Sequence, residues 1–116
     1  DLAQEDIWTG LTQRLKSKCP PTAIFAYNDK IAREVARFIL NAGYRIPDDL
    51  SIIGCGNTPS SDFHIPLTTF DQHPRRIGNE AAKAYFIRVN QTEEIQFIYK
   101  IIKPELIVRC SSKAFR

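Results

Sequence analysis

The apolar run of PTAIFAYNDK stops at Asn28-Asp29 and turns straight into the helical pattern IAREVARFILNAG. A strand that feeds a helix through two polar residues sets them at the carboxyl edge of an open α/β sheet, where such proteins bind ligands. An Asn amide both donates and accepts, as a ligand hydroxyl requires. Asn is also a leading helix cap, and residue type alone favours that plainer role. Gly54-Cys55-Gly56 follows a second strand, but the third glycine of a dinucleotide fingerprint would fall at Pro59, so that reading fails. His64 and His73 lack a third ligand at metal spacing and read as surface or capping residues. Ser60 and Ser61 have no nucleophile elbow around them. Arg75-Arg76 beside Pro74 could meet an anion, yet cations at a helix start oppose its dipole, and a solvated first turn is the better reading. Nothing here spells catalysis, a cofactor or a metal.

Bulk properties narrow the choice further. The chain has 116 residues, enough for one small domain. With 43% hydrophobic and 25% charged residues it has globular composition. The net charge of +3 is spread thinly, whereas a nucleic-acid face needs a dense basic stripe. Cys19, Cys55 and Cys110 are odd in number and far apart, which suits reduced, partly buried thiols of a cytoplasmic protein. No signal peptide and no membrane-length apolar stretch is recognisable. The sequence opens on DLAQEDIW without a Met anywhere, which leads us to expect an excised piece of a longer protein.

The elements that must position these residues alternate. Ile7, Leu11 and Leu15 predict an amphipathic helix over roughly residues 4 to 18, closed by Cys19-Pro20-Pro21. Residues 23–27 are apolar throughout, as in a strand buried on both faces of a parallel sheet. A second helix follows, with Ile31, Val35, Phe38, Ile39 and Ala42 inward, Asn28 or Asp29 at its start and Gly43 at its C-cap. LSIIGCG is a further strand, and LTTFDQ is extended. Pro74 opens a third helix to about Val89, with Ile77, Ala81, Ala84 and Tyr85 as its inner side. IQFIYKIIK and ELIVRCS are extended segments around Pro104. Strand, helix, strand argues for an α/β layer, yet two buried strands make too thin a sheet for a complete fold.

The order PTAIFAYNDKIAREVARFILNAGYRIPDDLSIIGCGN, PLTTFDQHPRRIGNEAAKAYFIRV, KPELIVRCSS resembles the C-terminal part of the lactose-repressor/galactose-repressor family of transcription regulators. The AYND and HP variants are similar to the arabinose-repressor branch, whose DNA-binding domain is a winged helix. The resemblance implies an α/β fold, part of a periplasmic-binding-protein-like (type I) sensor, mainly its C-terminal lobe. It implies a C-terminal lobe at 1–66, a crossover and N-terminal-lobe helix at 67–103, and a return to the C-terminal lobe at 104–116. It implies a small-molecule effector, a sugar or sugar phosphate, and a homodimer that meets operator DNA only through a domain absent from this chain. Asn28 and Gln72 match positions that bond effector hydroxyls, which leaves a cap or hinge role for Asp29. Where the family usually has an acidic residue this chain has Gly56, with Asn57 the nearest substitute. The alternative of the same fold is a soluble sugar-binding receptor for transport or chemotaxis.

Overall fold

The computed structural model describes residues 2–59, 63–90 and 99–114, with side chains from Ile7 onward. The elements run α1 (Leu2–Leu15), β1 (Ala23–Phe25), α2 (Asp29–Asn41), β2 (Ser51–Cys55), β3 (Thr68–Asp71), α3 (Pro74–Asn90) and β4 (Glu105–Ile107). One sheet takes the strands in the order β1-β2-β3-β4, the first three parallel and β4 antiparallel to β3. LTTFDQ and ELIVRCS thus supply two strands, and the sheet is thicker than two apolar runs suggest. The first four residues of IQFIYKIIK fall outside the described residues, and the remaining five, 99–103, carry no strand.

Register decides what each sheet face carries. Ile24 pairs with Ile52 and Gly54 with Thr69, so these share one face, and α2 lies over it. Ala32, Val35, Ala36 and Ile39 of α2 are buried there together with Ile52 and Leu67. This inward set is shifted from the expected one, because Ile31 and Ala42 turn outward. Phe25, Ile53, Cys55 and Phe70 occupy the opposite face, where Phe25 meets Phe70 edge-on at 6.0 Å. Phe25 is 63% exposed and Tyr27 84% exposed. The expectation that 23–27 is buried on both faces therefore fails: among the described strands β1 lies at the edge of the sheet, covered on one side.

α2 is capped at both ends. Asn28 is its N-cap, with Oδ1 accepting from the Ile31 amide at 2.9 Å. At the other end Gly43 (φ +86°) reverses the chain: its amide donates to Leu40 and that of Tyr44 to Ile39, a Schellman motif. α1 packs through Trp8, Leu11 and Leu15, and Trp8 stacks on Phe38 at 4.8 Å. Ile7, expected inward, is exposed. The terminal segment wedges into the sheet where β2 and β3 diverge. Ser111 accepts from the Ile52 amide, donates its hydroxyl to the Ile52 carbonyl at 2.6 Å and accepts from the Thr68 amide at 2.8 Å.

No described residue of α3 is buried. Ile77, Ala81 and Ala84 border a groove shared with Lys100 and Ile102, and Tyr85 stays exposed. The radius of gyration is 19.5 Å, against about 13 Å for a compact chain of this length. α3 projects from the sheet.

Candidate functional site

The carboxyl ends of β1, β2 and β3 gather Asn28-Asp29, Gly56-Asn57-Thr58 and Asp71-Gln72-His73. Asp29, only 2% exposed, knits the three together. Its Oδ2 accepts from the Thr58 amide at 2.7 Å and the Thr58 hydroxyl at 3.2 Å, and its Oδ1 accepts from Thr69 Oγ1 at 2.6 Å. Arg33, one turn further along α2, donates to the Thr58 carbonyl at 3.3 Å and hydroxyl at 3.2 Å. Gly54 is required at its place: a Cβ there would overlap Asp29 Oδ1 and touch Leu67 Cδ2 at 3.0 Å. The cap role expected of Asp29 belongs instead to Asn28. Asp29 is the buried tie between strand ends.

Asn57 (φ +48°) extends that lattice to β3 and to the terminal segment. Its Nδ2 donates to Asp71 Oδ2 at 3.0 Å, and its Oδ1 accepts from Arg109 Nη2 at 2.7 Å. Arg109 also donates to the Leu67 carbonyl at 2.7 Å. Asp71 Oδ1 accepts from the His73 amide at 2.7 Å. The His73 and Asn57 bonds hold the Asp71 carboxyl below its ordinary range. β4 sets Glu105 opposite Asp71, and the His73 ring lies between them, 3.7 Å from Asp71 Oδ1 and 3.9 Å from Glu105 Oε2.

Two cavities open beside this lattice. One of about 490 Å³ lies between α2 and the loop after β2, edged by Asp29, Arg33, Thr58, Phe63, Leu67 and Arg109. The other, about 400 Å³, lies between Gly56-Asn57 and residues 71–76, bordered by Asp71, His73, Pro74, Arg75 and Arg76. Gly56 has φ +121°, open to glycine and hostile to other residues. Of the predicted site residues, Gly56 and Asn57 share the second cavity, whereas neither Asn28 nor Gln72 borders it. Asn28 spends its oxygen on the helix and keeps its amide nitrogen without a partner among the described residues. Gln72 is exposed. The sequence missed Asp71, because Asn57 and Glu105 reach it only through strand pairing. The three cysteines are free, with Cys19 and Cys110 exposed and Cys55 half-buried.

An open, mostly parallel sheet with a polar lattice and cavities at its carboxyl edge is the architecture that α/β ligand-binding lobes use. Residues 2–112 match the periplasmic binding protein-like domain, and the chain belongs to that family. A curated relative, the HTH-type transcriptional repressor PurR of Mannheimia succiniciproducens, is 37% identical over 110 residues, 94% of this chain and 33% of that protein. A LacI family transcriptional regulator from Enterococcus faecalis V583 with bound ribose superposes with TM-score 0.72 at 32% identity, covering 90% of this chain and 39% of that one. Its counterpart from Enterococcus faecium, also with bound ribose, gives TM-score 0.74 at 29% identity, over 90% of this chain and 38% of that one. The lactose-repressor/galactose-repressor resemblance read from the sequence stands, and the chain fits the C-terminal part of such regulators. It spans about a third of the length of the curated relatives it matches. No described helix is long and apolar enough to cross a membrane.

Proposed function

We propose that this chain is the effector-sensing region of a LacI-type transcription repressor, and that its effector is a small sugar. The observation that carries the reading is the lattice at the carboxyl edge of β1–β3, in a chain similar to ribose-bound LacI-family regulators. In the intact protein residues 1–66 and 104–116 form one lobe, while 67–103 cross to a second lobe that covers α3. Effector binding between the lobes shifts a closure equilibrium, and the closed and open forms differ in operator affinity. The whole protein is a cytoplasmic homodimer, and it reaches DNA through a module outside this chain. The PurR relatives are of HTH type, and on that ground we take the module as a helix-turn-helix. The winged helix suggested by the AYND and HP variants is settled by reading the sequence upstream of residue 1.

Asn28 fits both of its roles at once: Oδ1 caps α2 while Nδ2 is left to donate to an effector hydroxyl. In this reading Gln72, which is exposed, closes on the effector from the hinge. The test is operator binding by the intact protein, read by fluorescence anisotropy with and without D-ribose and a panel of pentoses and hexoses. The reading expects operator affinity to change with at least one sugar. Tight sugar binding by a protein with no affinity for DNA would replace it with the soluble-receptor alternative.

A further inference from the structure

We propose that Asp71 is the hydroxyl-accepting carboxylate of the effector site, and that the cavity between Gly56-Asn57 and residues 71–76 takes a neutral, polyhydroxyl ligand. This rests on the sugar-sensing reading above and names the group that would do the recognising. Three features of the site point to it. Among the described residues Asp71 is the one acid bordering a cavity of about 400 Å³, within the size range of small-ligand pockets. Its carboxylate is aimed rather than free: Asn57 Nδ2 holds Oδ2 at 3.0 Å and the His73 amide holds Oδ1 at 2.7 Å. A carboxylate oxygen can accept two hydrogen bonds, so each oxygen keeps one acceptor position open. Two adjacent oxygens with one free position each match a vicinal diol.

The surroundings agree. Gly56 contributes no side chain, and even a Cβ there would meet only Thr58 Cγ2, at 3.6 Å, so the cavity floor is clear. Asn57, expected to contact ligand itself, has its oxygen taken by Arg109 and its nitrogen by Asp71. It acts as a positioning residue, passing the anchorage of Arg109 on to the carboxylate. Pro74 offers an apolar surface for the C–H face of a sugar ring. Arg75 and Arg76 border the same cavity and would favour a phosphorylated sugar, but Asp71 would then face the phosphate. Both arginines are exposed, so their charge is screened by water and salt. The aimed carboxylate decides for the neutral ligand.

The experiment is calorimetry on the intact protein with D-ribose, its 2-deoxy and 3-deoxy analogues, and ribose 5-phosphate, for wild type and Asp71→Asn. A hydrogen bond to a charged acceptor is worth enough that Asp71→Asn should weaken ribose roughly ten- to hundredfold. The variant should also lose most of the wild-type preference for ribose over at least one deoxy analogue. That coupling isolates the hydroxyl–carboxylate contact from any loss of stability. If Asp71→Asn binds ribose like wild type, the assignment of Asp71 is overturned while the sugar reading stands. If wild type prefers ribose 5-phosphate and Asp71→Asn tightens it, the neutral-ligand assignment is overturned. Wild type that binds none of the four overturns the sugar reading and this proposal together. Should Asp71→Asn fail to fold, Asn57→Ala serves instead: it frees the carboxylate from one anchor and should weaken ribose several-fold with deoxy discrimination kept. Unchanged affinity in that variant counts against the proposal.

Discussion

α2 and α3 are both amphipathic by sequence, yet they end in opposite situations. The 13 residues of α2 bury Asp29, Ala32, Val35, Ala36 and Ile39, whereas none of the 17 residues of α3 is buried. Length and apolar content do not make the difference; a sheet underneath does. α2 follows β1 and returns to β2 across the face that carries Ile24, Ile52 and Gly54, so its inner stripe has a floor. α3 leaves the far end of β3 and, among the described residues, borders the 99–102 segment, where Glu80 pairs with Lys100 and, within the helix, with Lys83 at 2.9 Å. Around it Ile77, Tyr85, Phe86, Ile87 and Val89 face water. A helix with apolar residues on so much of its circumference is suited to a covered position, as the two-lobe proposal requires.

The largest effect should come from hollowing out the covered half. Ile39 is fully buried, and Ile39→Ala is expected to cost about 2–5 kcal/mol in urea unfolding of this chain. Ile87→Ala on α3 should stay within about 0.5 kcal/mol. Equal losses would erase the contrast between the two helices. Next comes the strand-end tie. Asp29→Ala leaves the Thr69 hydroxyl and Thr58 amide without their acceptor, at about 1–3 kcal/mol each at most. Gly54→Ala should be destabilising by about 1–3 kcal/mol through overlap with the same carboxylate. If Gly54→Ala is harmless, Asp29 is less firmly held than these contacts indicate.

Smaller still is the cap. Asn28→Ala should lower stability by about 1 kcal/mol, read as a fall in melting temperature. In the intact protein the same change should also shift the effector dose-response, because Nδ2 is lost with Oδ1. Asn28→Asp sharpens this by keeping the cap and removing the donor: melting temperature should hold while effector response weakens. The smallest effect concerns acid. Asp49, bonded by the Arg45 side chain and amide, has its carboxyl lowered to about 2. Its folded value lies below its unfolded one, so its contribution is complete above the ordinary carboxylate range and fades as pH falls toward 2. Asp49→Asn should flatten that part of the acid-unfolding curve and leave neutral stability lower.

How much of this the sequence disclosed depends on how local each feature is. The ends of α2 were legible, because Gly43 and the Asn28-Asp29 pair act within a few residues of themselves, but which of the pair caps the helix was not. Trp8 was not, since a spacing of four fits Ile7, Leu11 and Leu15, and only the position of Phe38 brings Trp8 inward. β1 reads as doubly buried from AIFAY alone; that it is an edge strand is a property of the sheet order. The site divides the same way. Asn28, Gly56 and Asn57 sit where strands visibly end, so residue type and resemblance reach them. Asp71 lies inside LTTFDQ as an ordinary strand residue, and its role emerges only when Asn57, fourteen positions away, bonds to it. Arg109 and Ser111 are more distant still, joined to β2 and β3 by a chain return that no local pattern announces.

Whether the effector acts at the carboxyl edge of β1–β3 can be read by hydrogen–deuterium exchange on the intact protein with and without D-ribose. Exchange should slow at 56–58 and 71–76 when ribose is bound, with the buried core around Ile39 and Ile52 unchanged. Ribose binding that protects neither segment while slowing exchange elsewhere would contradict that placement.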